Sequence, residues 1–229
     1  MESSKEKQDF KSKFRSRLVK YVDKFNSAVS TKEGDWVVKG FIDIAKNIYT
    51  ISVDTKVVSK IMELLLFPKI CQFAQDNGYK VVLCKEQNFY PDISFVDNRD
   101  NKFAVDLKST YRKNGKEVNG MTLGAFTGYF RDRKSKKNVT FPYGEYAGHF
   151  VLGIIYNRTE EALDERKIYK LKDLCNITSV VKDFTFFVQE KYKIALDRPG
   201  SGNTKNIGSV IKIDELINGK VPFSELGED

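Results

Sequence analysis

Of the 229 residues, 41% are hydrophobic and 13% aromatic, which excludes a disordered chain and is enough to bury a sizeable core. Against 31 Asp and Glu stand 39 Lys and Arg, leaving +8, a surplus that suits a polyanion such as nucleic acid or an anionic membrane surface. No apolar run reaches the roughly 18–20 residues of a membrane span and the N-terminus lacks the apolar core of a secretory leader. Three scattered cysteines argue against a disulfide framework or a structural zinc, so a soluble cytoplasmic protein is expected.

Phe10, Phe14, Leu18, Tyr21, Val22 and Phe25 recur at steps of three and four, predicting an amphipathic helix over residues 10–28 with a Lys/Arg-rich outer face. After a turn at 31–35, short strands are expected at 36–38, 41–45 and 48–53. Asp54 is placed to cap a helix running to about Phe67, with Pro68 ending or kinking it and the pattern resuming to Asp76. Val58, Ile61, Met62 and Leu65 form its buried stripe, and periodicity sets Glu63 on the polar side with Lys56 and Lys60. A strand at 79–84 follows. Then come two strands flanking the turn residues Asp97 to Asn101, with Ile93 and Phe95 in the first and Phe103 to Lys108 in the second. Residues 111–120 read as a polar loop, Thr122 to Phe130 as a short helix, and 131–137 as a basic run. The apolar stretch His149 to Tyr156 has the character of a strand buried on both faces; 180–188 and 191–196 read as further strands. A Gly/Asn-rich loop at 199–208 precedes a polar tail. Strands and helices interleave, so the class is α/β, one mixed central sheet flanked by helices, with no boundary between independent domains.

Few chemistries survive this sequence. The single histidine, His149, lies in an apolar strand and reads as a satisfied core residue, which removes most Ser-His-Asp and His-rich zinc sites. The 200–208 loop contains no Gly-Lys-Ser/Thr and is not a Walker motif. What remains is Pro91-Asp92 followed by Asp106-Leu107-Lys108. Alternation puts Asp106 and Lys108 on one face of their strand and Val105 and Leu107 on the other. If the hairpin brings Asp92 beside them, two hard carboxylates suit magnesium, which keeps waters and accepts a phosphate oxygen. Lys108 could then orient or deprotonate a water and offset charge on phosphorus, the outline of metal-assisted phosphodiester hydrolysis.

The segments DTKVVSKIMELL, EQNFYPDISF, VDLKSTY, TLGAFTGYFR, the Tyr/Phe-rich run at 141–150, and GSGNTKNIGS, in that order over about residues 36–210, resemble the EcoRV-like type II restriction endonucleases of the PD-(D/E)xK superfamily. The resemblance implies a restriction-endonuclease-like core with Asp92 and Asp106 as metal-binding carboxylates and Lys108 as catalytic lysine. It also makes Glu63 an auxiliary acidic metal residue, against the periodicity reading. Asp54 and Lys56 would lie near the scissile phosphate. Gln87 and Asn88 would touch DNA from the minor-groove side, and Thr127 and Lys137 would contact phosphates. Gly200, Ser201, Gly202, Asn203, Thr204, Lys205 and Asn206 would enter the major groove, the glycines letting backbone groups approach bases closely.

By the same resemblance, residues 1–229 form a single endonuclease domain, with 10–53 a dimerisation region, 54–196 the catalytic core and 197–210 the recognition loop. The enzyme would be a Mg2+-dependent homodimer cutting double-stranded DNA bluntly at a GATATC-like palindrome, whose host copy a cognate methyltransferase could protect. Glu86 in place of a glutamine, Lys205 in place of a neutral residue, Gly128 in place of a serine and a short C-terminus depart from the pattern and bear on specificity. The alternatives are an inactive or regulatory DNA-binding protein and a repair or junction nuclease of the same fold. The intact Asp92, Asp106 and Lys108 disfavour the first, and the GSGNTKNIG loop the second.

Overall fold

The computed structural model describes residues 4–86, 88–125, 131–159, 164–199 and 206–219. The N-terminal apolar stripe folds as two helices where one was predicted, α1 (Ser4–Lys20) and α2 (Val22–Val29). Tyr21 turns the chain between them, its ring buried and its hydroxyl donating to Asp76 at 2.9 Å. The strands that follow, β1 (Phe41–Ile42) and β2 (Asn47–Tyr49), are shorter than expected. Asp43 accepts from the backbone and side-chain nitrogens of Asn47 and converts the intervening residues into a turn. Trp36 is buried without joining a strand.

Asp54 caps α3 (Thr55–Asn77), accepting from the amides of Lys56 and Val57, and Gly78 closes it in the left-handed conformation with φ of 71°. Pro68 was expected to end or kink this helix and does not end it. It sits on the exposed face together with Leu64, the residue whose carbonyl the proline leaves without a donor, so water can serve that group.

The strands β3 (Lys80–Leu83), β4 (Ile93–Val96) and β5 (Lys102–Tyr111) form an antiparallel meander. Its second turn is held by Asp97, which accepts from the amides of Arg99 and Asn101. Thr122–Ala125, predicted as helix, is strand β6. Gly124 adopts φ of 126°, outside the helical range, and the segment pairs in a sheet. Next come β7 (Tyr146–Arg158), β8 (Ile168–Lys170) and β9 (Val181–Glu190). Residues 191–196, predicted as strand, begin with a 3-10 turn at Lys191–Ile194 that buries Lys191, Tyr192 and Ile194, and only then enter β10 (Ala195–Pro199). After β11 (Asn206–Ser209) the supposed tail forms α4 (Ile213–Asn218), which buries Leu216 and ends at left-handed Gly219.

The main sheet has order β3-β4-β5-β7-β9, with β5 and β7 parallel and the other neighbours antiparallel. Phe150, Leu152, Ile154 and Tyr156 of β7 join Phe103 and Val105 of β5 in a core with α1, α2 and α3. Val151 and Ile155 point the other way, packing with Leu123, Val210 and Leu216. The central strand is therefore buried on both faces, as its apolar run predicts. Two smaller sheets, β1-β2-β8 and β10-β11-β6, flank it. Among the described residues no helix is long and apolar enough to cross a membrane.

His149 is a core residue, as expected. It is stacked on Tyr143, bonded to the Tyr90 hydroxyl at 2.6 Å and to the Tyr143 carbonyl at 3.1 Å. Burial first, and Lys191 after it, push its pKa well below 6.5. The folded state thus keeps His149 neutral where the unfolded chain is protonated, so stability holds above about pH 6.5 and falls by up to about 1.4 kcal/mol per pH unit below it. Thermal melts between pH 7.5 and 5.5 should show that slope, and His149→Gln, which does not titrate, should flatten it. An equal slope in the variant would assign it to other groups.

Candidate active site

The register Ile93↔Val105 between β4 and β5 sets Asp92, just before β4, beside Asp106 in the middle of β5. The Asp92 amide donates to Asp106 Oδ1 at 3.3 Å, and the Leu107 amide donates to Asp92 Oδ2 at 2.8 Å. Lys108 Nζ lies 3.3 Å from Asp92 Oδ2 and 3.9 Å from Asp106 Oδ2, and donates to its neighbour's carbonyl, Leu107 O, at 3.2 Å. The three residues singled out from sequence therefore converge. A fourth, absent from that reading, completes the cluster: Lys191 Nζ stands 2.7 Å from Asp106 Oδ2.

Electrostatics divides the two carboxylates. Burial would raise Asp106, but Lys108 and Lys191 outweigh it and hold the group below the usual range. Asp92 is raised, by desolvation first and then by the neighbouring Asp106 charge, against the pull of Lys108. Of the pair, Asp92 is therefore the first to take a proton. Lys108 is pushed above the ordinary lysine range, because Asp106, Asp92 and Glu63 together overcome its desolvation. In this arrangement it is an ammonium, a donor and a positive charge.

Glu63 lines a small cavity with Ser59, Lys108 and Ser109 and pairs with Lys60 at 2.8 Å. The two serines tie α3 to β5 through an Oγ–Oγ contact of 2.6 Å. Glu63 is thus beside Lys108, yet among the described residues no three His, Cys, Asp or Glu side chains converge as a metal cage. Asp92 and Asp106 form a two-carboxylate site, the kind that suits an ion completing its shell with water and phosphate oxygens. The Asp92 side chain is 40% exposed, so such an ion has access.

Of the other candidate residues, Lys56, Asn88 and Lys137 are exposed, in the first turn of α3, before β4 and between β6 and β7. Asp54 is occupied as the α3 cap. Gln87, Thr127, Gly200, Ser201, Gly202, Asn203, Thr204 and Lys205 lie outside the described residues, as does Gly128. Asn206 pairs with Ala125, so the described residues next to 200–205 and 126–130 lie on adjacent strands. A basic cleft of about 890 Å³, missed in the sequence, opens beyond the end of β5 between Arg112, Lys113, Arg158 and Lys182. Arg158 lies 3.5 Å over the Tyr111 ring, which fixes its guanidinium.

A mixed sheet presenting two carboxylates and a lysine from adjacent strands, on a basic chain, defines a nuclease with a restriction-endonuclease-like core. The model of the family described as restriction endonuclease EcoRV matches residues 32–229, and the chain belongs to that family. The match covers the C-terminal residues as well as the segments that carry the resemblance. The type II restriction enzyme EcoRV of Escherichia coli is 36% identical over 192 residues, covering 82% of this chain and 78% of that one. The protein is accordingly an endonuclease of the type II, site-specific deoxyribonuclease class.

Proposed function

We propose that this enzyme hydrolyses both strands of double-stranded DNA at a short palindrome, GATATC-like and cut bluntly at its centre, as a Mg2+-dependent homodimer in the reducing cytoplasm. The convergence of Asp92, Asp106 and Lys108 carries the reading. Asp92 and Asp106 would hold the cation, with Glu63 as an auxiliary acid reaching it through water. Once bound, the cation would polarise the phosphodiester and acidify a bound water. Lys108, as an ammonium, orients the in-line water and offsets charge gathering on the phosphoryl oxygens. The basic cleft beyond the end of β5 suits the flanking backbone. The division into a dimerisation region at 10–53, a catalytic core at 54–196 and a recognition loop at 197–210 belongs to the same proposal.

For target recognition, residues 200–206 would read base edges in the major groove, with Asn203 and Thr204 supplying amide, hydroxyl and methyl groups. Gln87 and Asn88 would act from the minor groove, and Lys56, Thr127 and Lys137 on phosphates. The pairing of Asn206 with Ala125 supports this, since it sets Asn206 beside the strand that precedes Thr127 in the chain. A central TA step, easily kinked, suits such a clamp. A methyltransferase acting on the same sequence would protect host DNA.

Incubation with plasmid and Mg2+, followed by end mapping, should give discrete blunt fragments. A smear would remove the site-specific reading and leave a general nuclease. Retarded bands in Ca2+ with no cutting in Mg2+ would make the protein a binding module.

A further inference from the structure

We propose that Lys191 is a positioning residue of the nuclease site, one that holds the Asp106 carboxylate and limits the negative charge it offers to a divalent cation. The inference rests on the reading of Asp106 as a metal ligand. Lys191 comes from the 3-10 turn after β9, and its side chain and that of Asp106 are 2% and 5% exposed at a separation of 2.7 Å. Its ammonium is fixed from a second side by the Tyr90 ring, whose centroid is 3.9 Å away. Tyr90 is itself held by His149 through the 2.6 Å hydroxyl contact, and His149 by the Tyr143 ring.

The pair is a poor device for stability alone, because desolvating two charges offsets most of their attraction. Its placement has a clearer consequence for the site. Asp106 Oδ2 is shared between Lys191 and Lys108, while Oδ1 accepts from the Asp92 amide. The carboxylate plane is therefore set before any cation arrives. The charges also balance: Asp92, Asp106 and Glu63 stand against Lys60, Lys108 and Lys191. A divalent cation entering this cluster meets no net negative charge and must share Asp106 with an ammonium already in contact with it. Affinity for the free protein is held down, and a DNA phosphate supplies the missing charge.

The test is Mn2+ titration calorimetry on the DNA-free protein, combined with the metal dependence of cleavage. Lys191→Met should lower the half-saturating Mn2+ concentration about tenfold by removing a positive charge a few ångströms from the ion. Turnover at saturating metal should fall about tenfold or more, since Asp106 is no longer held. Lys191→Arg keeps the charge and should bind Mn2+ like the wild type. A merely structural lysine would lower the melting temperature without tightening metal binding, so unchanged or weaker Mn2+ binding by a folded Lys191→Met overturns the proposal. Should Met prevent folding, Lys191→Gln keeps a donor to Asp106 and loses only the charge, and the same tightening is required of it. Asp106→Asn separates the two levels of the argument. If it binds Mn2+ as the wild type does, the metal-ligand reading falls and this inference with it. If it loses Mn2+ while the Lys191 variants bind unchanged, the inference about Lys191 alone falls.

Discussion

Asp106→Ala will lose cleavage by about a thousandfold or more, the scale expected when a principal electrostatic group is removed from a phosphodiester site. It will also melt earlier. Asp106 is buried between Lys191 at 2.7 Å and Lys108 at 3.9 Å, and deleting it strands a desolvated ammonium. Breaking one side of a buried pair costs about 3–5 kcal/mol, which for a chain of this length lowers the melting temperature by roughly 10 °C. Asp106→Asn should lose activity equally while melting closer to the wild type, because the amide oxygen still accepts from Lys191. Cleavage assays with calorimetric melts of the two variants check both halves. Activity retained in either would show that the reaction does not run through Asp106.

Lys108→Ala provides the contrast. It should also abolish cutting, but Asp106 keeps Lys191 as counter-ion, so the fold should be spared. Sequence position alone would treat Asp106 and Lys108 as one motif; the buried third partner divides their consequences. Alkaline pH bears on the same distinction. Because Lys108 is held above its ordinary pKa, its attraction to the carboxylates is complete below about pH 10.4 and disappears only as pH rises through the raised value. Across neutral pH it therefore serves as a cation.

What was legible in the sequence follows from which forces act locally. Alternation along β5 separated Asp106 and Lys108 from Val105 and Leu107, and the Asp97 turn marked the hairpin that delivers Asp92, because strand parity and turn chemistry are short-range. Lys191 was not legible. In the run from Gln189 to Lys193 it is one charge among several, and nothing nearby says that the chain turns it inward to meet β5. The 3-10 turn that does so replaced an expected strand. Glu63 illustrates the limit of periodicity: read as outward-facing, it borders the face of α3 that packs on the sheet and lines a small cavity with Met62 and Leu66 as well as Lys108. The C-terminal helix carried a readable signal in Ile213, Leu216, Ile217 and Gly219, but too short a one to stand out from a polar tail.

The proposed dimer offers the other large effect. The register of the small sheet sets Phe41 opposite Tyr49 and Tyr49 opposite Ile168, so the three share one face, and all three are exposed. Ile42, Ile44, Leu171 and Leu174 in the same strands and adjoining turns are exposed as well. Single surface apolar residues are ordinary, but a cross-strand row with flanking isoleucines and leucines is what a second protomer would cover. This extends the proposed 10–53 dimerisation region to residues after β7. In the proposed homodimer, a two-fold pairing would place this patch against its own copy and present one catalytic cluster to each strand of a palindrome. Phe41→Glu combined with Ile168→Glu would put like charges across the axis on desolvated ground. Sedimentation should then report a monomer, and double-strand cutting should fall by about a hundredfold or more, the loss following from a penalty of several kcal/mol on the paired state. A double variant that remains dimeric would move the interface elsewhere. A monomer that still linearises plasmid at the original rate would mean that one protomer suffices to cut both strands, and the symmetry argument for a palindromic target would fall with it.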